Sequence, residues 1–427
     1  MSSSYIIGGG KPLKGEIKVA GNKNAVLPIM AATLLADGEC LIENSPRIRD
    51  VVTMGEILKD LGAKVQGLGT ADLLIDSSSV NKFKLKSELV SKLRASVLFL
   101  GPLLARFGKA QLRHPGGCLI GKRAVGTHFD ALARLGAETL VNEENYESQL
   151  KVRKSARIFL DEASVTATEN ALMLACLMPG TTVIENAACE PHVRNLAESL
   201  GLMGAKIQGA GTNRLIIDGV KKLTGARIKI IPDQIEIGTF SIAAAVTGGD
   251  ILIKEILPQD LDMILLYLGR MGVNFQIKNN CLFIKKSKLR STSRKVQTRP
   301  WPGFPTDLMG PFIVLATQSE GTVLCHDWMY ETRMFFIDKL IAMGANITLC
   351  DPHRVLVTGA TPLTAKVLET PDIRAGMALV LAALCARGES VIENIQLIER
   401  GYGEVEERLK LLGAEIKRVE SKNSNKN

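Results

Sequence analysis

A short motif that occurs six times constrains this chain more than any other feature. Leu or Met, then Gly, then Ala or Val recurs with its glycine at Gly62, Gly136, Gly204, Gly272, Gly344 and Gly413, at intervals of 74, 68, 68, 72 and 69 residues. A glycine turn before a β-rich run follows the same rhythm, at Gly38, Gly108, Gly180, Gly249, Gly321 and Gly388. Two markers with one period of about 70 residues indicate six copies of one structural unit.

Each repeat predicts the same succession of elements. In the first repeat the pattern predicts a helix over Asn24–Leu35, a strand over Glu39–Glu43 and a second helix over Asp50–Leu61. The glycine of the motif comes next, where a helix C-terminus favours a left-handed residue. Two strands, Lys64–Gln66 and Leu73–Asp76, then close the unit. The predicted fold class is therefore α/β, built from six β-α-β-α-β-β units.

The two chain ends predict how the six units are grouped. The last unit stops at Glu415–Val419, and the segment Ile7–Gly15 is similar to segments that close earlier units, so we expect the N-terminal segment to complete the sixth unit. Six independent tandem units are the alternative, and they would leave both chain ends unpaired. The preferred grouping is two lobes of three units, with these bounds: 23–232 for one lobe, 1–22 plus 233–420 for the other, and a disordered tail over 421–427.

Composition favours a soluble globular protein whose substrate is an acidic small molecule. The 427 residues are 46% hydrophobic and 23% charged with a formal net charge of +9, but only 4% are aromatic, which argues against nucleic acid as a partner. The eight cysteines contain no Cys-x-x-Cys pair, so neither a zinc site nor a disulfide framework is expected. No segment predicts a membrane span or a secretory signal. We therefore expect a cytoplasmic protein with no membrane partner.

Unusual charged residues share one position in the aligned repeats, where a strand leads into the first helix of a unit. A single charge at a helix start is most often a cap. Lys and Arg, however, have the wrong sign for the helix dipole, and this predicts a bound anion beside them. The residues at this position are Lys23 with Asn24, Arg94, Ser164 to Glu169, Asp233, Asp307, and Asp372 with Arg374.

A cysteine lies in a basic, glycine-rich segment. Pro115-Gly116-Gly117 precedes Cys118 and predicts a mobile loop. Lys109, Arg113, Lys122 and Arg123 surround it in the sequence, and cations favour the thiolate, so Cys118 is predicted to be reactive. An incidental surface cysteine is the alternative. Later in the chain, Arg333 and Arg400 add planar guanidinium groups that suit a phosphate and a carboxylate.

Five groups of residues form distinctive motifs: Gly21-Asn22-Lys23-Asn24-Ala25, Pro115-Gly116-Gly117-Cys118 with Ile120-Gly121 and Arg123, Phe304-Pro305-Thr306-Asp307, Asp372-Ile373-Arg374 and Arg400-Gly401-Tyr402. They resemble motifs of the UDP-N-acetylglucosamine enolpyruvyl transferases, and the resemblance covers about residues 5 to 419. The resemblance implies two inside-out α/β barrels of three units each, and neither a metal nor a cofactor. It also implies transfer of enolpyruvate from phosphoenolpyruvate to the sugar 3′-hydroxyl of UDP-N-acetylglucosamine, with release of phosphate.

The same resemblance assigns roles to residues of this chain. Cys118 is implied as the acid and the thiol that fosfomycin alkylates, Asp307 as the base near the 3′-hydroxyl, and Lys23 as a third catalytic residue. The implied phosphoenolpyruvate residues are Lys23, Asn24, Arg123, Arg333, Asp372, Arg374 and Arg400. The implied UDP-sugar residues are Arg94, Arg123, Ala124, Val125, Ser164, Val165, Asp307 and Met329.

The departures from the family pattern fall on the nucleotide side. Gly126-Thr127 follows Val125 where an aspartate is usual, Glu162 stands where many members have lysine, and Gln234 where arginine is common. Cys189 also replaces a usual arginine. Two alternatives stay open: an enolpyruvyl transferase with another acceptor, such as shikimate 3-phosphate, and a non-catalytic UDP-sugar-binding paralogue. For assembly we expect a monomer or a weak oligomer.

Overall fold

The chain divides into two compact units. The computed structural model describes residues 3–116 and 125–420, and the predicted tail, 421–427, lies outside them. One unit, here called the internal unit, comprises the described residues between 20 and 231, and the other, the terminal unit, comprises 3–19 and 232–420. The divisions fall after Val19 and Ile231, within three residues of the bounds that the sequence predicted.

Helices and strands alternate along both units. The strands are β1 (Ser3–Gly8), β2 (Lys14–Lys18), β3 (Ala36–Asp37), β4 (Glu39–Glu43), β5 (Lys64–Gln66), β6 (Leu73–Asp76), β7 (Lys109–Arg113), β8 (Ala137–Val141), β9 (Asn145–Leu150), β10 (Arg157–Phe159), β11 (Thr181–Glu185), β12 (Lys206–Gln208), β13 (Arg214–Asp218), β14 (Leu223–Thr224), β15 (Arg227–Lys229), β16 (Asp250–Lys254), β17 (Asn274–Lys278), β18 (Cys281–Lys285), β19 (Lys295–Gln297), β20 (Gly321–His326), β21 (Ile347–Asp351), β22 (Arg354–Gly359), β23 (Val367–Glu369), β24 (Glu389–Glu393) and β25 (Glu415–Glu420). The α-helices are α1 (Lys23–Ala32), α2 (Arg49–Leu61), α3 (Ser87–Val90), α4 (Leu100–Phe107), α5 (Gly126–Arg134), α6 (Val165–Ala175), α7 (Pro191–Leu202), α8 (Gln234–Thr247), α9 (Asp262–Arg270), α10 (Met309–Gln318), α11 (Ile337–Ala342), α12 (Ile373–Cys385) and α13 (Val405–Leu411). Short 3₁₀ helices cover Thr33–Leu35, Arg94–Phe99, Pro258–Asp260, Thr306–Leu308 and Ile395–Arg400.

Among the described residues, each unit contains three sheets of three or four strands with related topology, and the internal unit also has a two-stranded parallel sheet of β14 and β3. The terminal unit has the strand orders β23-β24-β1-β25, β17-β18-β16-β2 and β19-β20-β22-β21, and the internal unit has β10-β11-β13-β12, β15-β4-β6-β5 and β7-β9-β8. Strand β1 pairs antiparallel with both β24 and β25. The N-terminal segment therefore completes the sixth repeat, which confirms the sequence prediction for the chain ends.

The sheet β7-β9-β8 lacks the first parallel strand that the other five have. At that place the backbone makes only an isolated parallel bridge between Lys84 and Gln111, with hydrogen bonds of 2.9 and 3.0 Å on either side. A four-residue helix, α3, begins three residues after Lys84, so little extended chain is left to continue the pairing. The periodicity of the glycines did not predict this difference between the repeats.

The first helix of each repeat is more deeply buried than the second. In the terminal unit, α8, α10 and α12 pack against one another, and α12 buries every residue from Ile373 to Leu384. The second helices bury one stripe only, as in α9, where Ile264 and Leu268 face inward at a spacing of four residues. Apolar side chains on nearly every side of a helix thus mark the interior elements of this fold.

The glycines of the repeated motif lie where helices end. Gly62 follows α2 with a φ of 110°, and the other five motif glycines also have positive φ angles. Side chains are strained in this region of φ, so glycine is the favoured residue. The second marker behaves differently at Gly249, where Gly248 has the positive φ. A Cβ on Gly249 would lie 2.1 Å from the Leu13 carbonyl oxygen, so close packing explains that glycine instead.

Candidate active site

The terminal unit holds a buried cluster of arginines and aspartates around Asp307. The two oxygens of Asp307 accept separate hydrogen bonds, one from Arg333 Nη2 at 3.1 Å and one from Arg374 Nη2 at 2.9 Å. The side chains of Arg333 and Arg374 are only 2% and 6% exposed, whereas that of Asp307 is 25% exposed. The carboxylate is therefore held in one orientation while its outer side stays accessible.

Local structure explains how the strand-to-helix position supplies this cluster. Asp307 lies in the 3₁₀ turn that leads into α10, and Asp372 caps α12 by accepting hydrogen bonds from the backbone N–H groups of Arg374 and Ala375. The cap fixes the first turn of α12, which carries the Arg374 side chain toward Asp307. Asp233 caps α8 in the same way. These two aspartates are caps, as the simpler of the two sequence readings predicted.

Electrostatics keep both arginines charged despite burial. Burial opposes the charged form of Arg374, but the Asp307 carboxylate outweighs it, so the pKa of Arg374 is raised. Burial likewise opposes the charge of Arg333, while Asp307, Asp372 and Asp327 together raise its pKa. Arg333 Nε and Arg374 Nη1 are buried and have no hydrogen-bond partner among the described residues. Buried guanidinium donors of this kind suit an anion such as a carboxylate or a phosphate.

Two further residues of the cluster were missed by the sequence reasoning. Asp327 is fully buried directly after β20, accepts hydrogen bonds from Thr298, Thr306 and the Met329 N–H group, and lies 3.9 Å from Arg333. It does not precede a helix, so the repeat alignment passed over it. An aspartate immediately after a buried strand is the signal that could have found it.

Tyr402 is the second, since the sequence analysis quoted it in a motif but gave it no role. Its ring lies under the Arg374 guanidinium at 5.1 Å, and its hydroxyl is 3.0 Å from Thr239 Oγ1 on α8. Burial raises the pKa of Tyr402, and the neighbouring Arg374 charge opposes this only in part. The neutral Tyr402 ring therefore packs against the Arg374 guanidinium, and Asp307 accepts a hydrogen bond from the same guanidinium. Arg400, two residues earlier, ends a 3₁₀ helix with a half-buried side chain.

In the internal unit, Lys23 starts α1 and forms an ion pair with Asp50. Lys23 Nζ lies 2.8 Å from Asp50 Oδ2, and both side chains are nearly buried, at 12% and 5% exposed. Asn22 caps the same helix by accepting a hydrogen bond from the Ala25 N–H group at 3.0 Å, and Asn24 is half-buried in its first turn. The sequence predicted that an anion compensates Lys23. Asp50 supplies a negative partner within the chain, beside which the predicted anion stays a prediction.

A second group of predicted residues meets around a buried histidine that the sequence reasoning did not single out. His128 on α5 contacts Thr166 on α6, with 2.8 Å between Nε2 and Oγ1, and the charge of Arg94 acts on it. Val125 precedes α5 and Ser164 precedes α6, and these two helices pack together. The structure thus brings the elements that carry Arg94, Val125, Ser164 and Val165 into one region of the internal unit.

Burial dominates the electrostatics of His128. Its side chain is 2% exposed, and burial, assisted by the Arg94 charge, lowers the pKa of His128 to about 4. The ring is therefore neutral at physiological pH. The neutral imidazole of His128 and the Thr166 hydroxyl form a buried polar contact without an ion pair, unlike the cluster around Asp307.

The positions that depart from the family pattern lie beside this histidine. Thr127 Oγ1 donates a hydrogen bond to Asp161 Oδ1 at 2.8 Å, which ties the start of α5 to the segment before α6. Glu162, next to Asp161, is exposed. Gln234 instead begins α8 in the terminal unit and is buried. Cys118, Arg123 and Ala124 lie outside the described residues, and so does most of the loop predicted around Cys118.

The described residues contain no group of three or more His, Cys, Asp or Glu side chains that could hold a metal ion. Nor does the described part of the chain include a helix long and apolar enough to cross a bilayer. The features on which chemistry can act are a fixed carboxylate, buried guanidinium groups and the N-terminus of α6. This set suits anionic substrates and proton transfer to or from a hydroxyl group.

Comparison with known proteins decides the family. The profile of EPSP synthase (3-phosphoshikimate 1-carboxyvinyltransferase) matches residues 7–409. A UDP-N-acetylglucosamine 1-carboxyvinyltransferase of Treponema denticola is 48% identical over 96% of this chain and 98% of its own length. Another, from Borrelia garinii subsp. bavariensis, is 47% identical over 98% of this chain and 99% of its own length. The chain belongs to the UDP-N-acetylglucosamine 1-carboxyvinyltransferase family.

Solved structures of enolpyruvyl transferases share the fold of this family member. The enolpyruvyl transferase NikO from Streptomyces tendae has a TM-score of 0.88 at 24% identity, covering 99% of this chain and 100% of its own. An EPSP synthase from Acinetobacter baumannii has a TM-score of 0.74 at 18% identity, covering 98% of this chain and 100% of its own. At these identities the likeness concerns the fold, which is the α/β class that the sequence predicted.

Proposed function

We propose that this chain transfers the enolpyruvyl group of phosphoenolpyruvate to the 3′-hydroxyl of UDP-N-acetylglucosamine and releases phosphate. The reaction is an addition followed by an elimination, and it is the first committed step of peptidoglycan synthesis. The observation that carries the proposal is the 48% identity, over nearly the whole length of both chains, to a UDP-N-acetylglucosamine 1-carboxyvinyltransferase. The buried arginine and aspartate cluster supplies the chemistry that such a reaction needs.

Asp307 acts as the base in this proposal. The sugar hydroxyl loses its proton as it attacks C2 of phosphoenolpyruvate, and C3 gains a proton from Cys118. The two arginine hydrogen bonds on Asp307 support this role because they fix the carboxylate without covering it. A positioned base of this kind contributes about 10²–10⁴ to the rate.

Cationic side chains hold the anionic groups of phosphoenolpyruvate in this proposal. The buried N–H groups of Arg333 and Arg374 that have no partner among the described residues support their assignment to this substrate. Asp372 orients the start of α12, so it acts through Arg374 rather than by touching an anion. The full set is Lys23, Asn24, Arg123, Arg333, Asp372, Arg374 and Arg400.

The UDP-sugar lies against the start of α6 and the residues around His128 in this proposal. Helix α6 has 11 residues, and the N–H groups of its first turn, after Ser164, suit a diphosphate. Arg94 adds a cation to the same region. The full set is Arg94, Arg123, Ala124, Val125, Ser164, Val165, Asp307 and Met329.

The proposal extends to architecture and cellular setting. We infer that each unit is an inside-out α/β barrel, because the buried first helices pack together while the three sheets keep one face toward solvent. Cytoplasmic location follows from the substrates, since nucleotide sugars and phosphoenolpyruvate are cytoplasmic metabolites. A monomer or weak oligomer is sufficient for this chemistry.

Phosphate release tests the function directly. The purified protein is incubated with phosphoenolpyruvate and either UDP-N-acetylglucosamine or shikimate 3-phosphate, and free phosphate is measured over time. We expect release with the UDP-sugar only. Release with shikimate 3-phosphate only would establish the other acceptor, and UDP-sugar binding without any release would establish a non-catalytic paralogue.

Cys118 gives a second, residue-level test. Replacement by alanine is expected to abolish turnover, while Cys118→Asp keeps an acid and is expected to retain activity. Fosfomycin should inactivate the wild-type protein and spare Cys118→Asp. Cys350, which is exposed on β21, provides the control: Cys350→Ala should leave both turnover and fosfomycin sensitivity unchanged. A Cys118→Ala protein with near-normal turnover would remove Cys118 from the mechanism.

A further inference from the structure

The excess positive charge of this chain is concentrated in one stretch of the terminal unit. Between Met263 and Thr306 there are nine Lys and Arg residues and no Asp or Glu. The other 44 Lys and Arg residues equal in number the 44 Asp and Glu residues of the whole chain. This single stretch of 44 residues therefore accounts for the entire net charge of +9.

All nine cations are exposed, and together they are called the basic surface. None has a carboxylate oxygen within 4.0 Å among the described residues. Other cations of the same unit are paired, for example Lys254 with Glu16 and Arg408 with Glu236. The basic surface consists of Arg270, Lys278, Lys285, Lys286, Lys288, Arg290, Arg294, Lys295 and Arg299.

The fold gathers these residues from three neighbouring elements. Strands β17 and β18 form an antiparallel hairpin that carries Lys278 and Lys285. The chain then crosses the end of α9, where the Thr292 N–H group donates to the Arg270 carbonyl at 2.7 Å and the Arg290 N–H group to Met271 at 3.0 Å. It continues into β19, an edge strand that starts at Lys295. Arg270 is thereby placed beside the crossing segment.

The nearest acidic residues contact this stretch through its backbone. Asp250 accepts a hydrogen bond from the Lys286 N–H group at 2.8 Å, and Glu320 pairs with the crossing segment through its own backbone. Neither carboxylate comes within 4.0 Å of a cation of the basic surface. The pKa of His326 is lowered, first by burial and then by the charges of Lys295 and Arg354, as expected beside a positive surface. The positive charge of the basic surface is therefore available to an external anion.

The apolar neighbours indicate which kind of polyanion fits. Leu266, one turn before Arg270 on α9, is 45% exposed. The aromatic rings of the stretch offer little for stacking: Phe275, Phe283 and Trp301 are only partly exposed, and the Arg270 guanidinium covers the ring of Tyr267 at 5.2 Å. Cations mixed with exposed aliphatic groups suit a phospholipid surface, whereas single-stranded nucleic acid requires stacking platforms.

We propose that the basic surface attaches this protein peripherally to an anionic phospholipid membrane. The Lys and Arg side chains face the headgroup phosphates, and Leu266 faces the boundary of the acyl chains. Each cation close to such a membrane strengthens binding about fivefold at low salt. The proposal replaces the expectation of no membrane partner, which considered spanning segments alone. It is independent of the transferase activity.

Vesicle sedimentation tests the attachment. The full chain is mixed with vesicles of phosphatidylcholine plus phosphatidylglycerol, or of phosphatidylcholine alone, at several salt concentrations. We expect binding to the anionic vesicles only, weakening steeply with salt. A variant with Lys285→Gln, Lys286→Gln, Lys288→Gln and Lys295→Gln should bind at least about tenfold more weakly.

A matched variant separates the basic surface from net charge. Lys59→Gln, Lys206→Gln, Lys221→Gln and Lys222→Gln remove the same four charges from exposed positions of the internal unit and should leave vesicle binding within about twofold. Both variants should keep their fold, as judged by circular dichroism, and release phosphate like the wild type if the transferase proposal holds. Equal losses in both variants, or equal binding to neutral vesicles, would overturn the proposal. Tighter binding to duplex DNA than to anionic vesicles, lost in the first variant only, would reassign the surface to nucleic acid.

Discussion

The Asp307 cluster and the His128 region differ in how they hold their functional groups. Around Asp307, two buried arginines lie among three carboxylates and against two tyrosine rings, so opposite charges are paired. Around His128, a neutral ring contacts a threonine hydroxyl, and Thr127 binds Asp161. Ion pairs in a buried site tolerate little change, because removing one partner leaves an uncompensated charge. Neutral hydrogen bonds tolerate more.

That difference fits two of the four departures from the family pattern. Gly126 and Glu162 lie beside the neutral region, whereas Arg333, Asp307 and Arg374 match the expected residues. A substitution at the exposed Glu162 changes the long-range electrostatic potential but leaves no buried charge without its ion-pair partner. The comparison therefore predicts large effects in the Asp307 cluster and smaller ones around His128, and the following variants test that order.

Asp307→Asn should have the largest effect. The amide keeps the shape but accepts no proton, and it leaves Arg333 and Arg374 without their shared carboxylate. We expect kcat to fall by about 10²–10⁴. Asp262→Asn, at an exposed position of α9 in the same unit, is the control and should retain wild-type turnover. Turnover within tenfold of wild type would show that the cluster does not supply the base.

His128→Gln should change the pH dependence of stability. The folded-state pKa of His128 is lowered from 6.5 to about 4, so below pH 6.5 the unfolded state takes up a proton that the folded state does not. The free energy of unfolding of the wild type should therefore lose roughly 3 kcal/mol between pH 6.5 and pH 4 through this group. The variant should lack that component.

Urea unfolding at several pH values measures this difference. His326→Gln, which alters a partly exposed histidine of the terminal unit, is the comparison variant and should leave most of the pH dependence in place. Parallel pH profiles for wild type and His128→Gln would mean that His128 is protonated as easily in the folded as in the unfolded state. The claim that burial keeps His128 neutral in the folded state would then be wrong.

Tyr402→Phe should have a moderate effect confined to phosphoenolpyruvate. Loss of the hydroxyl removes its contact with Thr239 and its support of Arg374, but the ring stays under the guanidinium. A hydrogen bond of this kind contributes about 1 kcal/mol, so KM for phosphoenolpyruvate should rise about two- to tenfold with kcat nearly unchanged. Tyr267→Phe is the control. A loss of kcat at constant KM would contradict a positioning role.

Glu162→Lys should have the smallest effect, in the opposite direction. A lysine at this exposed position beside α6 attracts the diphosphate, so affinity for the UDP-sugar should rise about two- to fivefold and the gain should shrink with salt. Glu143→Lys makes the same charge change at another exposed position of the internal unit and should give little gain. Equal gains in both would assign the effect to net charge.

The repeat predicted most of the fold because each copy needs the same backbone turn. The strands Glu39–Glu43 and Leu73–Asp76 have the predicted bounds, and Gly62 has the positive φ that a helix end requires. The shortened sheet near Lys84 was not predictable, since its cause is a local helix and not a change in the glycine spacing.

The candidate site was predictable only in part. A cation at a helix start pointed correctly to unusual electrostatics at Lys23, but its partner Asp50 lies on a different helix and depends on how α1 and α2 pack. Asp327 and Tyr402 act through contacts made only in the folded chain. Pairings between distant residues carry no local signal, so sequence patterns identified the charged groups but not what holds them.

One measurement tests the difference between the Asp307 cluster and the His128 region most directly. UDP-N-acetylglucosamine binding is titrated to Asp307→Asn, and the bound complex is then mixed with phosphoenolpyruvate in a single-turnover experiment. The account predicts affinity within about threefold of wild type and a turnover of the bound complex at least about 10²-fold slower. Collapsed affinity together with wild-type turnover of the bound complex would make Asp307 a binding residue only and would contradict the account.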